Sequence, residues 1–260
     1  QDLANVLKSG KMTAKVDIIS DMVIGPSLGQ QAIESGIMSF IVALVLLMLF
    51  MCCIYGVIPG LIANFGLICN LFFTFGILAS FQAVLTLSGI AGIVLALGMA
   101  VDANVLIFER AKEELRAGKS VRTAIADGYS NAFSAIFDSN LTSIITGVIL
   151  LFFGTGPIKG FATTLIIGII CSFFTAVYLT RIIFIAFGKK KAFQNLTFTT
   201  SISKKMFSGT NFNFLGARKV SFMVVAAFVL IVLVSLFVRG LNQGIDFSGG
   251  RNYVVKFEKP

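Results

Sequence analysis

One carboxylate, Asp102, stands in the run LALGMAVDANVLIF (95–108), where every neighbour within six residues except Asn104 is apolar or small. An ionisable side chain at bilayer depth costs roughly 2.5–3.5 kcal/mol on insertion scales. The chemistry open to it is the binding and release of a proton or another monovalent cation, because an aspartate alternately sealed from water and wetted loads on one side and unloads on the other. The plainer alternatives are that Asp102 reaches interfacial water seven residues before Glu109, or bonds a neighbouring helix. The other ionisable group well inside an apolar run is Arg181, near the end of its helix, where it is expected to snorkel towards Lys189–Lys191.

Several other chemistries lack their residues. There is no histidine, and Cys52, Cys53, Cys69 and Cys171 fall within apolar runs without metal-ligand spacing, so neither a disulfide framework, a zinc site nor any cofactor is expected. No Walker-type phosphate loop occurs, and an intramembrane aspartyl protease would need a second carboxylate beside Asp102. The chain therefore does not read as an enzyme.

The elements that must position Asp102 are membrane helices. The chain is 57% hydrophobic and 13% charged, with a mean hydropathy of +0.93, far outside the soluble range. The class is all-α and polytopic, with six spans at about 37–57, 60–80, 83–107, 139–158, 160–181 and 219–239. Breaks are expected at YGVIPG (55–60), ASFQ (79–82) and GTGPIKG (154–160). At 100° per residue Ser88, Ala91, Leu95, Gly98, Val105 and Glu109 share the Asp102 stripe, and its small residues predict a helix interface or hydrated crevice. Asn104 is a further candidate for that interface. In SNLTS (139–143), Asn140, Thr142 and Ser143 either cap the following helix or hydrogen-bond across to the Asp102 helix.

Lysine and arginine set the expected orientation. They gather at 109–122 and at 188–219, so the segments 109–137 and 188–219 are expected in the cytoplasm and both termini outside. The net charge of +9 is then a topology signal, and nucleic acid is not an expected partner. The chain reads as a fragment of something larger. Residues 1–36 and 240–260 are expected to be the stubs of extracytoplasmic α+β domains, flanking a membrane part at 37–187, a basic linker at 188–218 and a last span at 219–239.

Two glycine-bearing motifs border the membrane part. In GPSLGQ (25–30), with Gly25, Pro26 and Gly29, Ser27 is expected as a helix N-cap and Gln30 as its capping-box partner, with AIESG lying along the interface. In GIDFSGG (244–250), Gly244, Gly249 and Gly250 permit unusual backbone and Asp246 can cap a turn. A structural joint is the first reading there, and contact with a substrate or gate the second.

The stretches GIVLALGMAVDANVLIFERAKEELRAGKS (92–120) and DSNLTSIITGVILLFFGTGPIKGFATTLIIGIICSFFTAVYLTR (138–181) closely resemble the last transmembrane helices of SecD. VIGPSLGQQAIESG (23–36) resembles the point where SecD re-enters the membrane, and NFLGARK with NQGIDFSGG (213–250) resembles the start of SecF. Their order in one polypeptide resembles the fused SecDF family of the resistance–nodulation–division superfamily. That resemblance implies an accessory subunit in the bacterial cytoplasmic membrane, beside the SecYEG channel, using the H⁺ or Na⁺ gradient to assist export of polypeptides. Asp102 matches the family's transmembrane aspartate, and the complementary charged residues of the family lie in later helices. A drug or lipid exporter of the same superfamily would use the same buried carboxylate. The motifs GPSLG and GIDFSGG separate the two.

Overall fold

The computed structural model describes residues 26–188, 193, 196–200, 203 and 216–241. Its helices are α1 (Pro26–Tyr55), α2 (Val57–Ser80), α3 (Leu87–Arg116), α4 (Val121–Phe153), α5 (Pro157–Phe174), α6 (Thr180–Phe187) and α7 (Arg218–Arg239), with a π turn (Thr175–Leu179) joining α5 to α6. Among the described residues six stretches are long and apolar enough to cross a membrane, with α5, the π turn and α6 forming one of them, and the architecture is all-α. The chain divides into two units, Gln1–Ser208 and Gly209–Pro260, and α7 belongs to the second.

The helix ends follow from local chemistry. α1 stops at Tyr55 because Gly56 takes φ +94°, a left-handed conformation open to glycine, and α2 restarts at once with Pro59 in its first turn, where a missing N–H is harmless. Thr86 caps α3, its Oγ1 accepting from the Gly89 amide at 3.0 Å. Ser120 does the same for α4 through the Thr123 amide at 3.3 Å. α5 opens on Pro157, preceded by Gly156 at φ +46°.

Three elements differ from the sequence expectation. α1 is described from Pro26, which places Ser27 within its first turn and not at the position before it; proline's fixed φ suits the first helical position. Gln30 bonds forward to Glu34 (3.0 Å), and the expected interfacial segment is continuous with the first crossing. The 109–137 segment, expected to lie between two spans, is taken up by the helices themselves: α3 runs on to Arg116 and α4 starts at Val121, leaving 117–120 between them. Good helix formers such as Ala, Lys, Glu and Arg carry α3 past the apolar run. Thus α4, expected over 139–158, spans Val121–Phe153, about 50 Å of helix against a core of about 30 Å.

α3 sits at the centre of the first unit, packed against α1, α2, α4 and α5. Its packed side is built from small residues. A Cβ on Gly92 would meet the Phe161 carbonyl at 2.8 Å, and one on Gly168 of α5 would meet the Ala96 Cβ at 2.5 Å, so these two helices touch nearly backbone to backbone. Thr164 locks the contact, its Oγ1 donating to the Gly89 carbonyl across the interface at 2.9 Å.

Candidate functional site

Asp102 does not lie on that packed side. Gly89, Gly92, Ile93, Ala96, Leu97, Ala100, Val101, Ala103, Asn104, Ile107, Phe108 and Ala111 are buried, whereas Ala91, Leu95, Gly98 and Asp102 are exposed. Of the two expectations for the Ser88–Ala91–Gly98 stripe, a helix interface or a hydrated crevice, the close helix contacts of the described residues do not fall on it, and Asp102 lines a cleft. A Cβ on Gly98 would meet nothing within 4 Å. The small residues that draw helices together lie round the helix from the stripe, where Thr164 and Gly168 offer matching surfaces. Ser88, at the head of the stripe, is spent on the turn between α4 and α5, donating to the Pro157 carbonyl at 2.6 Å.

The carboxylate opens onto a polar cleft of about 150 Å³ between α3 and α4, lined by Met99, Asp102, Ala103, Leu106, Ser139, Asn140 and Ser143. The α4 side chains bond to their own helix: Ser139 Oγ and Asn140 Nδ2 donate to the Ile136 carbonyl at 3.1 and 2.8 Å, and Ser143 Oγ to the Ser139 carbonyl at 3.0 Å. Both hydroxyl protons being engaged, the serine oxygens are left chiefly as acceptors, and Asn140 keeps its carbonyl and one N–H. No hydrogen bond or ion pair to Asp102 occurs among the described residues. An unpaired carboxylate among acceptors suits a proton or a small cation.

Thus the structure gathers Asp102 and Asn140, together with Ser143, and separates the others. Asn104 faces the core at 3% exposure, its Nδ2 donating to the Ala100 carbonyl (3.2 Å) while its Oδ1 has no partner among the described residues. Thr142 points outward and donates to the Asp138 carbonyl at 2.9 Å. Neither expected role of 139–143 occurs: these residues lie mid-helix, where they cap nothing, and they bond within α4. Arg181 is exposed in α6 and lines no part of the cleft. Pro26 and Gly29 are helical in α1, while Gly25, Gly244, Asp246, Gly249 and Gly250 lie outside the described residues.

Two features were missed. Asp138 is a second exposed carboxylate in the middle of α4, beside the cleft-lining Ser139; placing the start of that span at 139 hid it, and a helical reading from Ser120 onward would have found it. Lys119 clamps the α3–α4 turn, with its Nζ 2.7 Å from Glu114 on one helix and 2.7 Å from Asp127 on the other. The hydrogen bonds to Asp127 and then Glu114 hold its ammonium well above the ordinary lysine range. Asn131 adds a third link to Glu114 at 3.2 Å.

The family profile described as protein export membrane protein SecD/SecF, C-terminal, matches residues 5–190. The chain belongs to the SecD/SecF family. A second profile, the SecD/SecF GG motif, matches 234–260 and takes in Gly249 and Gly250. Protein translocase subunit SecD of Rhodothermus marinus is 56% identical over 184 residues, covering 71% of this chain and 29% of the relative. Protein translocase subunit SecDF of Bacillus subtilis is 38% identical and spans 98% of this chain but 36% of its own length. The crystal structure of SecDF from Thermus thermophilus, a translocon-associated membrane protein, superposes with a TM-score of 0.82 at 35% identity, covering 96% of this chain and 34% of that one. The chain spans about a third of the length of the SecD/SecF relatives it matches. The six long apolar stretches among the described residues and this membership make it a multi-pass membrane protein.

Proposed function

We propose that this chain is the ion-responsive membrane part of an accessory subunit of the Sec protein translocase, which draws on the transmembrane ion gradient to promote export of polypeptides. The observation that carries the proposal is Asp102: an accessible carboxylate without an ion-pair partner among the described residues, in an otherwise apolar stretch of helix, opening onto a cleft where Ser139, Asn140 and Ser143 stand beside Met99, Ala103 and Leu106. In this reading Asp102 takes up H⁺ or Na⁺ from one side and releases it to the other. Ser139, Asn140 and Ser143 keep the site wet, and the rest of the longer protein supplies the surface that opens and seals the exposed face. The partners are the SecYEG channel and exported chains. The basic α3–α4 turn and the linker after α6 face the cytoplasm, and both ends of the chain face outward, as the lysine and arginine distribution favours.

Substitution of Asp102 in the full-length protein is the test. Asparagine keeps the shape and polarity of the side chain but cannot ionise, so Asp102→Asn is expected to leave insertion and abundance normal while abolishing gradient-dependent stimulation of export. Asp102→Glu should retain part of it. Export of a secreted reporter into membrane vesicles, with and without an ion gradient and at matched protein levels, reads the difference. Wild-type stimulation by the Asn variant would refute the proposal.

A further inference from the structure

We propose that Leu196–Thr200, which follows α6, is a clip that fastens the linker to the end of α1 and to α3 and so lets force carried by the linker act on the Asp102 helix. The inference rests on the ion-coupling reading of Asp102. Along the segment Leu196 and Phe198 are buried at 5% and 2% exposure while Thr197 is exposed. Phe198 inserts between the Phe108 ring of α3 (centroids 5.2 Å apart) and the Phe184 ring of α6 (6.2 Å). Phe108 also meets Tyr55 of α1 at 5.3 Å. One ring of the linker thus completes an aromatic box walled by three helices.

A hydrogen bond fixes the far end. Thr200 Oγ1 donates at 2.6 Å to the Cys53 carbonyl, one of the last four of α1, which helix geometry leaves short of N–H partners. The segment runs past the helix break at Gly56, where Gly56, Val57, Ile58 and Pro59 face Leu196, Thr197 and Thr199 across a hollow of about 230 Å³. Phe108 lies six residues from Asp102, about 9 Å along the same rigid helix. A pull on the clip therefore reaches Asp102 without any rearrangement of α3.

The experiment uses the full-length protein with its other cysteines replaced by serine or alanine, and Leu196→Cys as the accessibility probe. Phe198→Ala empties the box, so maleimide labelling at position 196 should quicken by about a hundredfold or more. The gradient-dependent part of export should fall about fivefold, with gradient-independent export unchanged. Phe198→Leu should restore both. In a second protein that retains Cys53, Thr200→Cys joined to it by a short bismaleimide should keep full stimulation, because a clip works while attached. Unchanged labelling in Phe198→Ala, full stimulation from a detached segment, or loss of export on cross-linking would each overturn the clip while Asp102→Asn still abolishes stimulation. Stimulation that survives Asp102→Asn would overturn the ion-coupling reading and the clip with it.

Discussion

Asp102 and Asn104 are two positions apart on α3, and a rotation of about 200° puts one in an open cleft and the other in the core. The same geometry on α4 separates Asn140, 8% exposed and lining the cleft, from Thr142, which faces away. Asn140→Ala is therefore expected to lower gradient-dependent export, since it removes the amide that lines the cleft with Asp102. Thr142→Ala should change stability by no more than about 0.5 kcal/mol and leave export intact. Vesicle export of the two variants, side by side, checks whether the cleft and not the whole polar stretch 139–143 matters. The polar residue types were legible in the sequence. Which of them face Asp102 was not, because that depends on which side of α4 packs against α3.

At the scale of the elements, the contact between α3 and α5 is the tightest part of the first unit. Gly92→Val or Gly168→Val should destabilise the 260-residue chain in detergent by about 1–3 kcal/mol through overpacking. Gly98→Ala should be tolerated or stabilise by up to about 1 kcal/mol, because its Cβ enters open space and alanine is the better helix former. Thermal unfolding of the three variants tests the assignment of the packed face. The α3–α4 turn carries the orientation. Ala117 is exposed there and caps nothing through its side chain, so Ala117→Cys probes the turn without removing the Ser120 cap. In intact cells a reagent that cannot cross membranes should fail to label it, and ready labelling would invert the proposed topology. The Lys119 clamp should hold across ordinary pH: a lysine whose folded value is raised contributes fully below its unfolded value and loses that contribution only as pH rises through the folded one.

Over the whole molecule, hydropathy alone foretold six crossings, because a helix must fill the bilayer with apolar side chains wherever its neighbours lie. Glycine, proline and cap residues located the breaks at Gly56 and Gly154–Gly156 for equally local reasons. The long motifs announced SecD/SecF membership, and the isolation of Asp102 made it stand out before any fold was known. What the sequence left open was pairing. The stripe of Ser88, Ala91 and Gly98 and the face of Gly89, Gly92 and Ala96 are both rich in small residues, and periodicity treats them alike. Only the tertiary structure chose between them, because close approach needs a complementary surface on the partner helix, which Thr164 and Gly168 supply on α5. By that choice the Asp102 face was left open. The tuck of Phe198 under α3 was equally invisible beforehand, since nothing local to residues 196–200 tells a solvated linker from one whose side chain completes a box of rings contributed by Tyr55, Phe108 and Phe184.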